Sequence, residues 1–167
     1  MRPIKKVISG GQTGVDRAGL VAARQRSIEI GGWCPRGRRA EDGKVPDEFP
    51  LIEMDTDAYI PRTYKNVDSS HATMIVTRSR ETDNSDTGTL RTEQYVRRVH
   101  KPFNVIYLPK REEWDGQLVL MQDVARAWIK TTCDALNKRW EARDGLILNV
   151  SGPRESGDPG IYARSEE

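Results

Sequence analysis

Glycines and polar side chains cluster at one junction near the start of the chain, VISGGQTGVDRAGL (7–20). The segment starts as an apolar strand, and apolar residues then recur at the three- and four-residue steps of a helix. Because glycine has no Cβ, such a turn can take positive φ and bring its N–H groups close to a ligand. The first N–H groups of the helix, and its dipole, point into the same turn. The pattern therefore indicates an anion site, most simply for phosphate, to which Thr13 can add a hydroxyl donor.

The spacing of these glycines differs from two common nucleotide-binding motifs. Gly10 and Gly11 are adjacent, unlike the glycines of GxGxxG, and no Lys-Ser or Lys-Thr follows Gly14 as in a P-loop. Dinucleotide redox chemistry and ATP hydrolysis therefore lose support. A tight turn in which Asp16 or Thr13 only caps the helix stays open as the alternative.

Polar turns also occur at three other predicted element boundaries, in SDTGTLRTE (85–93), SGPRESGDPGI (151–161) and RTYKNV (62–67), the last expected just ahead of a strand. Arg154 and Ser156 are suited to hydrogen-bonding an anion, and each Arg–phosphate bond contributes about 1.5–3 kcal/mol. Several such turns indicate a ligand crevice more than unrelated turns do. The basic loop RGRRAEDGK (36–44) is interpreted as a phosphate clamp, with a solvated loop or a subunit contact as alternatives.

Segments with strand patterns alternate with segments with helical patterns along the whole chain. We expect strands at 4–9, 28–33, 72–77, 103–108 and 146–150, and helices at 16–25, 63–70, 89–100 and 121–140. The polar segment 34–50 is too irregular for a regular element. This alternation predicts an α/β fold, a Rossmann-like doubly wound, mostly parallel sheet of about five strands with helices on both faces. In such sheets ligands bind beyond the carboxyl ends of the strands, where the glycine-rich turns fall.

Composition limits the class of protein. The 167 residues suit one domain, 1–167, and the near-balance of 27 basic and 25 acidic residues argues against a broad nucleic-acid surface. Cys34 and Cys133 have no second Cys or His at metal-ligand spacing, so we expect neither a zinc site nor a disulfide framework. No signal-peptide pattern or membrane-spanning run is present. We therefore expect a cytoplasmic protein that binds no nucleic acid and no membrane.

Four motifs in order, SGGQTGVDRAG, GGWCPRGRRAEDG, RTYKNV and NVSGPRESGDPGIY, resemble the putative molybdenum cofactor carrier family. That family is a circularly permuted branch of the SLOG superfamily of Rossmann-like nucleotide-binding domains, and the resemblance runs from about residue 8 to residue 162. It implies a homo-oligomer, expected to be a tetramer, with a crevice for a phosphorylated small molecule. Molybdenum cofactor is the named candidate, and its metal is expected to arrive on the pterin dithiolene rather than on protein ligands. The ligand-binding positions it implies are Gly10, Gly11, Gln12, Thr13, Gly14, Asp16, Arg36, Arg62, Gly88, Thr89, Arg154, Glu155 and Ser156.

Two alternatives remain, a binder or sensor of another nucleotide derivative and a phosphoribohydrolase acting on nucleoside monophosphates. Related phosphoribohydrolases carry PGGxGTxxE, whereas SDTGTLRTE keeps Gly88 and Thr89, lacks the Pro-Gly-Gly and places Glu93 one residue late. One residue rotates a helical side chain by about 100°. Glu93 is therefore expected to point away from the crevice, and we assign no catalytic residue.

Overall fold

A computed structural model describes residues 3–78, 87–108, 114–138, 142 and 144–165. The sequence predicts a polar loop at 79–88; residues 79–86 lie outside the described residues, and Thr87 and Gly88 belong to a helix. The end of the helix expected to reach residue 140 also lies outside the described residues. In chain order the strands are β1 (Ile4–Ile8), β2 (Glu29–Gly31), β3 (Trp33–Cys34), β4 (Arg39–Ala40), β5 (Gly43–Lys44), β6 (Ile52–Glu53), β7 (Ala72–Thr77), β8 (Phe103–Tyr107) and β9 (Leu146–Ser151). The helices are α1 (Val15–Gln25), α2 (Tyr59–Asp68), α3 (Thr87–Arg98), α4 (Trp114–Lys138) and α5 (Ile161–Ser165).

The central sheet has five strands in the order β2-β1-β9-β7-β8, and every neighbouring pair is parallel. This confirms the α/β, Rossmann-like sheet expected from the sequence. The last strand of the chain, β9, lies in the middle, with Leu148 opposite Val7 on one side and Ala72 on the other. Because the strands are parallel, the turns that follow β1 and β9 leave the same edge of the sheet side by side.

Neighbouring residues point to opposite faces of a strand, and both are buried along much of β7 and β9, so the sheet buries both faces. On one face Val7, Val76 and Leu148 form a single buried cluster with Ala23 of α1 and Leu136 of α4. The opposite face is more polar near the middle of the sheet. There Asn149 donates to Thr73, with 3.3 Å between Nδ2 and Oγ1, and α3 brings the Thr92 hydroxyl within 3.4 Å of the Ser151 hydroxyl. Helices therefore cover both faces of the sheet.

The prediction of one strand over 28–33 is wrong, because Gly32 divides it. Gly32 has φ 131°, and a Cβ there would overlap the carbonyl oxygen of Ser9. Only glycine fits this close approach. The chain therefore leaves the central sheet after Gly31, and β3 pairs with β6 instead.

The segment 34–50 is more regular than its composition indicates. It contains a 3-10 turn over Arg36–Arg38 and the antiparallel hairpin β4–β5. Its apolar residues pack on α1 in a second buried cluster, which holds Leu20, Cys34, Ala40, Val45, Phe49 and Leu51. The loop is therefore folded against the start of α1, next to the glycine turn.

Candidate functional site

A cleft of about 290 Å³ lies at the carboxyl edge of the central sheet. The turn after β1, the first turns of α2 and α3, and the end of β9 form its walls. Its lining residues are Gln12, Asp16, Ala58, Tyr59, Ile60, Arg62, Thr63, Gly88, Arg91, Thr92, Ser151, Gly152 and Arg154.

Three helices begin at this cleft. Asp16 belongs to the first turn of α1, Tyr59 is the first residue of α2, and Gly88 is the second residue of α3. The first N–H groups of a helix have no acceptor in the preceding turn of that helix, and its N-terminus carries about half a positive charge. In α1 the Val15 N–H already donates to Pro153 O. Three such termini around one cleft favour an anionic occupant.

A buried ion pair forms the floor of the cleft. Nη1 of Arg62 in α2 lies 3.0 Å from Oδ2 of Asp16, and their side chains are only 12% and 4% exposed. The N–H of Gln12 also donates to Asp16 Oδ2, at 3.3 Å. Burial raises the pKa of Asp16, although the Arg62 charge and the Gln12 N–H act in the opposite direction. The pair holds the turn after β1 against α2, 46 residues away in sequence.

Two buried donors that line the cleft have no hydrogen-bond partner among the described residues, Gln12 Nε2 and Arg62 Nε. Gln12 is only 6% exposed. Its Oε1 accepts from the N–H groups of Thr13 and Glu41, both at 3.0 Å. This leaves the Nε2 end of the amide for another acceptor. A buried donor without an acceptor destabilises the folded state by roughly 1–3 kcal/mol. A ligand oxygen in the cleft that accepts a hydrogen bond from such a donor would offset this loss.

Two more arginines line the cleft. Arg91 is exposed and lies three residues after Gly88, on the same side of α3. Arg154 follows β9, and its guanidinium lies 5.7 Å from the centre of the Tyr59 ring. Asp16 pairs with Arg62, and Arg154 lies 3.9 Å from the Glu41 carboxylate, so Arg91 adds one further positive charge to the cleft.

The sequence-based site residues take different places around this cleft. Those that line it are Gln12, Asp16, Arg62, Gly88 and Arg154. The three glycines of the first turn are packing positions. The Arg62 guanidinium covers Gly10, the side chains of Val45 and Leu51 cover Gly11, and the backbone of 153–155 covers Gly14.

The remaining predicted residues do not line the cleft. Thr13 and Ser156 hydrogen-bond Glu41 of the β4–β5 hairpin. The carboxylate of Glu155 accepts from the N–H groups of Gly160 and Tyr162 around the start of α5, which is a capping role.

Thr89 has a buried hydroxyl without a partner among the described residues, but it is not a lining residue. Arg36 is exposed in the 3-10 turn, where its N–H donates to Thr56 O at 2.8 Å, and the structure does not bring it to the cleft.

Sequence reasoning missed several lining residues, most importantly Tyr59, Arg91 and Thr92. Arg91 and Thr92 follow Gly88 by three and four residues, so the helical period could have identified both. Arg62 was expected just ahead of a strand and lies within α2 instead. Glu93 lies 2.7 Å from Arg97 and does not line the cleft, as the helical rotation predicts.

Within 3–78, 87–108, 114–138, 142 and 144–165, no group of three or more His, Cys, Asp or Glu side chains could hold a metal ion. None of the helices in those ranges is long and apolar enough to cross a membrane.

A sequence model of the circularly permutated YpsA SLOG family matches residues 7–167. The chain belongs to this family. It is also similar to the crystal structure of the "putative molybdenum carrier protein" of Syntrophus aciditrophicus SB, with 34% sequence identity and a TM-score of 0.81. That match covers 98% of this chain and 91% of the other. No curated protein sequence matches the chain significantly. SLOG membership and this structural likeness support a ligand-binding role.

Proposed function

We propose that this SLOG-family chain binds a phosphorylated small molecule in the cleft and acts as a binding protein. The observation that carries the proposal is the pair of unpartnered buried donors, Gln12 Nε2 and Arg62 Nε, in a cleft where three helices begin. Arg91 and Arg154 add charged donors on its walls. Amide and guanidinium N–H groups are suitable donors to phosphate oxygens.

Molybdenum cofactor is our first candidate ligand. Its phosphate and metal-oxo oxygens accept hydrogen bonds, which suits the arginines and Gln12, and its pterin amino edge can donate to Asp16. The chemistry of the donor set therefore fits the organic part of the cofactor, with the metal carried on the dithiolene. The cleft volume, about 290 Å³, is close to the lower end of small-molecule sites, roughly 300–1,000 Å³. The similarity to the "putative molybdenum carrier protein" supports the same candidate.

The second candidate is another nucleotide derivative, bound or sensed at the same cleft. A purine amino edge can meet Asp16 as a pterin edge does, and SLOG membership favours a nucleotide. A phosphoribohydrolase has less support, because Glu93 pairs with Arg97 outside the cleft.

The first test is purification of the protein from a host that makes molybdenum cofactor. We expect co-eluting pterin, measured by fluorescence after oxidation, together with molybdenum, measured by mass spectrometry. Arg91→Met should lower the retained pterin about tenfold, since one charged hydrogen bond is lost. Arg98→Met is the control, because it removes one charge from the same helix outside the cleft. This variant should retain as much pterin as wild type.

Pterin and molybdenum at background, with no protection of added cofactor from oxidation, would refute the first candidate. A nucleotide that raises the melting temperature of wild type but not of Arg91→Met would then favour the second. If no anion binds in an Arg91-dependent way, the cleft is not the site.

We also propose a homo-oligomer, expected to be a tetramer, in the cytoplasm. Leu120 and Val124 lie one turn apart on α4 and are 65% and 49% exposed, an apolar strip that a subunit contact would cover. Cys34 and Cys133 are buried in separate places and unpaired, which suits a reducing compartment. Sedimentation analysis measures the mass directly, and a monomer at all concentrations would exclude the tetramer.

A further inference from the structure

The tip of the β4–β5 hairpin inserts a carboxylate beside the cleft. Glu41 lies at this tip, and its side chain is 18% exposed. Its Oε1 accepts from the Thr13 hydroxyl and from the Ser156 N–H at 3.1 Å. Its Oε2 accepts from the Ser156 hydroxyl and lies 3.9 Å from Arg154 Nε. One carboxylate therefore occupies three hydrogen-bond donors and faces one guanidinium.

The orientation of the Thr13 hydroxyl follows from its other neighbour. The N–H of Glu155 donates to Thr13 Oγ1 at 3.2 Å, so the hydroxyl hydrogen is directed to Glu41. The turn after β1 and the turn after β9 thus present their donors to the same point. The donors at this point are two hydroxyls, one backbone N–H and a guanidinium. Together they are suited to hold a phosphate or carboxylate group of a ligand.

The electrostatics of this group of donors favour a negative charge. Burial alone would raise the pKa of Glu41, but hydrogen bonds from Ser156 and Thr13 and the Arg154 charge lower it below the usual value. The carboxylate is therefore charged at neutral pH. The Glu41 carboxylate would repel an anionic ligand in the neighbouring cleft. The ligand and Glu41 would also compete for Arg154, which lines the cleft and lies 3.9 Å from Glu41 Oε2.

The hairpin does not depend on the Glu41 carboxylate alone. Next to it, Asp42 accepts two hydrogen bonds from Arg17 of α1, at 2.5 and 2.8 Å. The backbone N–H of Glu41 donates to Gln12 Oε1. If the Glu41 side chain turned outward, these contacts would still hold the hairpin in place.

We propose that Thr13, Arg154 and Ser156 form a second anion subsite, which the Glu41 carboxylate fills as an internal substitute and which an anionic group of the ligand takes over by displacing it. The subsite adjoins the cleft through Arg154 and Gln12. The ligand class is then a small molecule with two anionic groups, such as a diphosphate or a phosphate ester with a second oxyanion. This inference rests on the proposed function of the cleft and extends it.

The test measures pyrophosphate binding by isothermal titration calorimetry, with thermal unfolding of each variant as the check of folding. Glu41→Gln keeps the size of the side chain and removes its charge, so pyrophosphate should bind about tenfold tighter or more than to wild type. Glu41→Ala should also bind pyrophosphate more tightly than wild type. Ser156→Ala in the Glu41→Gln background should remove most of the gain. Asp42→Asn loosens the same hairpin and leaves the Glu41 charge, and should change affinity less than threefold.

Equal or weaker binding to both Glu41 variants overturns the subsite. A similar gain with Asp42→Asn also overturns it, because hairpin mobility would then explain the effect. Arg91→Met separates this inference from the proposed function. If Arg91→Met weakens pyrophosphate binding to wild type while the Glu41 variants show no gain, the cleft stands and only the subsite fails. If the Glu41 variants gain and Arg91→Met has no effect, the anion binds beside Glu41 alone, so the cleft assignment fails and the inference of a ligand with two anionic groups fails with it.

Discussion

Gly14 joins the turns after β1 and β9, which form two walls of the cleft, and replacing it by alanine tests how closely they pack. A Cβ at Gly14 would lie 2.5 Å from the carbonyl oxygen of Pro153 and 2.9 Å from backbone atoms of Arg154 and Glu155. These are backbone atoms, so no side-chain rotation can relieve the contact. The N–H of Val15 also donates to Pro153 O, at 3.2 Å, which fixes the two turns together.

The expected loss of stability has two parts. Gly14 has φ 74° and ψ −134°, a conformation that only glycine adopts readily and that costs another residue about 1–3 kcal/mol. Overpacking adds about 1–3 kcal/mol. The sum is about 4 kcal/mol, which lowers the melting temperature of a chain of this size by about 10 °C.

Gly37→Ala is the matched control. Gly37 also has positive φ, 70°, with ψ 12°, but nothing lies within 4 Å of its Cβ position. It should lose only the conformational part, about 1–2 kcal/mol. Urea unfolding at neutral pH measures both variants. If Gly14→Ala and Gly37→Ala lose the same free energy of unfolding, the close contact between the two turns is not real. The assembly of the cleft from them would then have to be abandoned.

Two further predictions concern charged side chains. Lys101 Nζ donates to three backbone carbonyl oxygens in 67–70, at 2.6–3.0 Å, and so caps the end of α2. Lys101→Met should lower the free energy of unfolding, measured in urea, by about 2–3 kcal/mol. The control Lys130→Met changes an exposed lysine and should lower it by less than about 0.5 kcal/mol. A loss for Lys101→Met as small as that of the control would contradict the capping role. Hydrogen bonds from Arg17 lower the pKa of Asp42, so the Asp42 ion pair stabilises the folded state above the ordinary Asp pKa, and its contribution is lost as pH falls through the lowered value. The stability difference between wild type and Asp42→Asn should therefore shrink towards zero on acidification, and a difference that stays constant with pH would refute this assignment.

Local sequence patterns predicted most of the regular elements. The strand over Ala72–Thr77 has the bounds expected from its unbroken apolar run, and the ends of α1 differ from the prediction by at most one residue. Such elements depend on interactions between residues a few positions apart, which periodicity reports directly. The start of α4 was missed by seven residues, since the expected helix began at 121 and the observed one begins at Trp114.

The site was only partly predictable from the sequence, because local patterns report only on residues a few positions apart. Glycines at a strand–helix junction indicated the first turn, and Arg154 was noted after the last strand. The partners of these groups are distant in sequence. Arg62 meets Asp16 across 46 residues, and Ser156 meets Glu41 across 115. No spacing rule links such residues, so charge alone could not assign them.

The sequence by itself determined the class of fold, the glycine turn and an anion-binding character, because these follow from local periodicity and from the steric freedom of glycine. The tertiary structure decided which donors share a cleft and which are already occupied. It placed β9 between β1 and β7, turned Arg62 and Arg91 toward the same space, and set Glu41 against Thr13 and Ser156. The physical reason is that hydrogen bonds and charges act over a few ångströms in space. Distance along the chain does not fix which groups come that close.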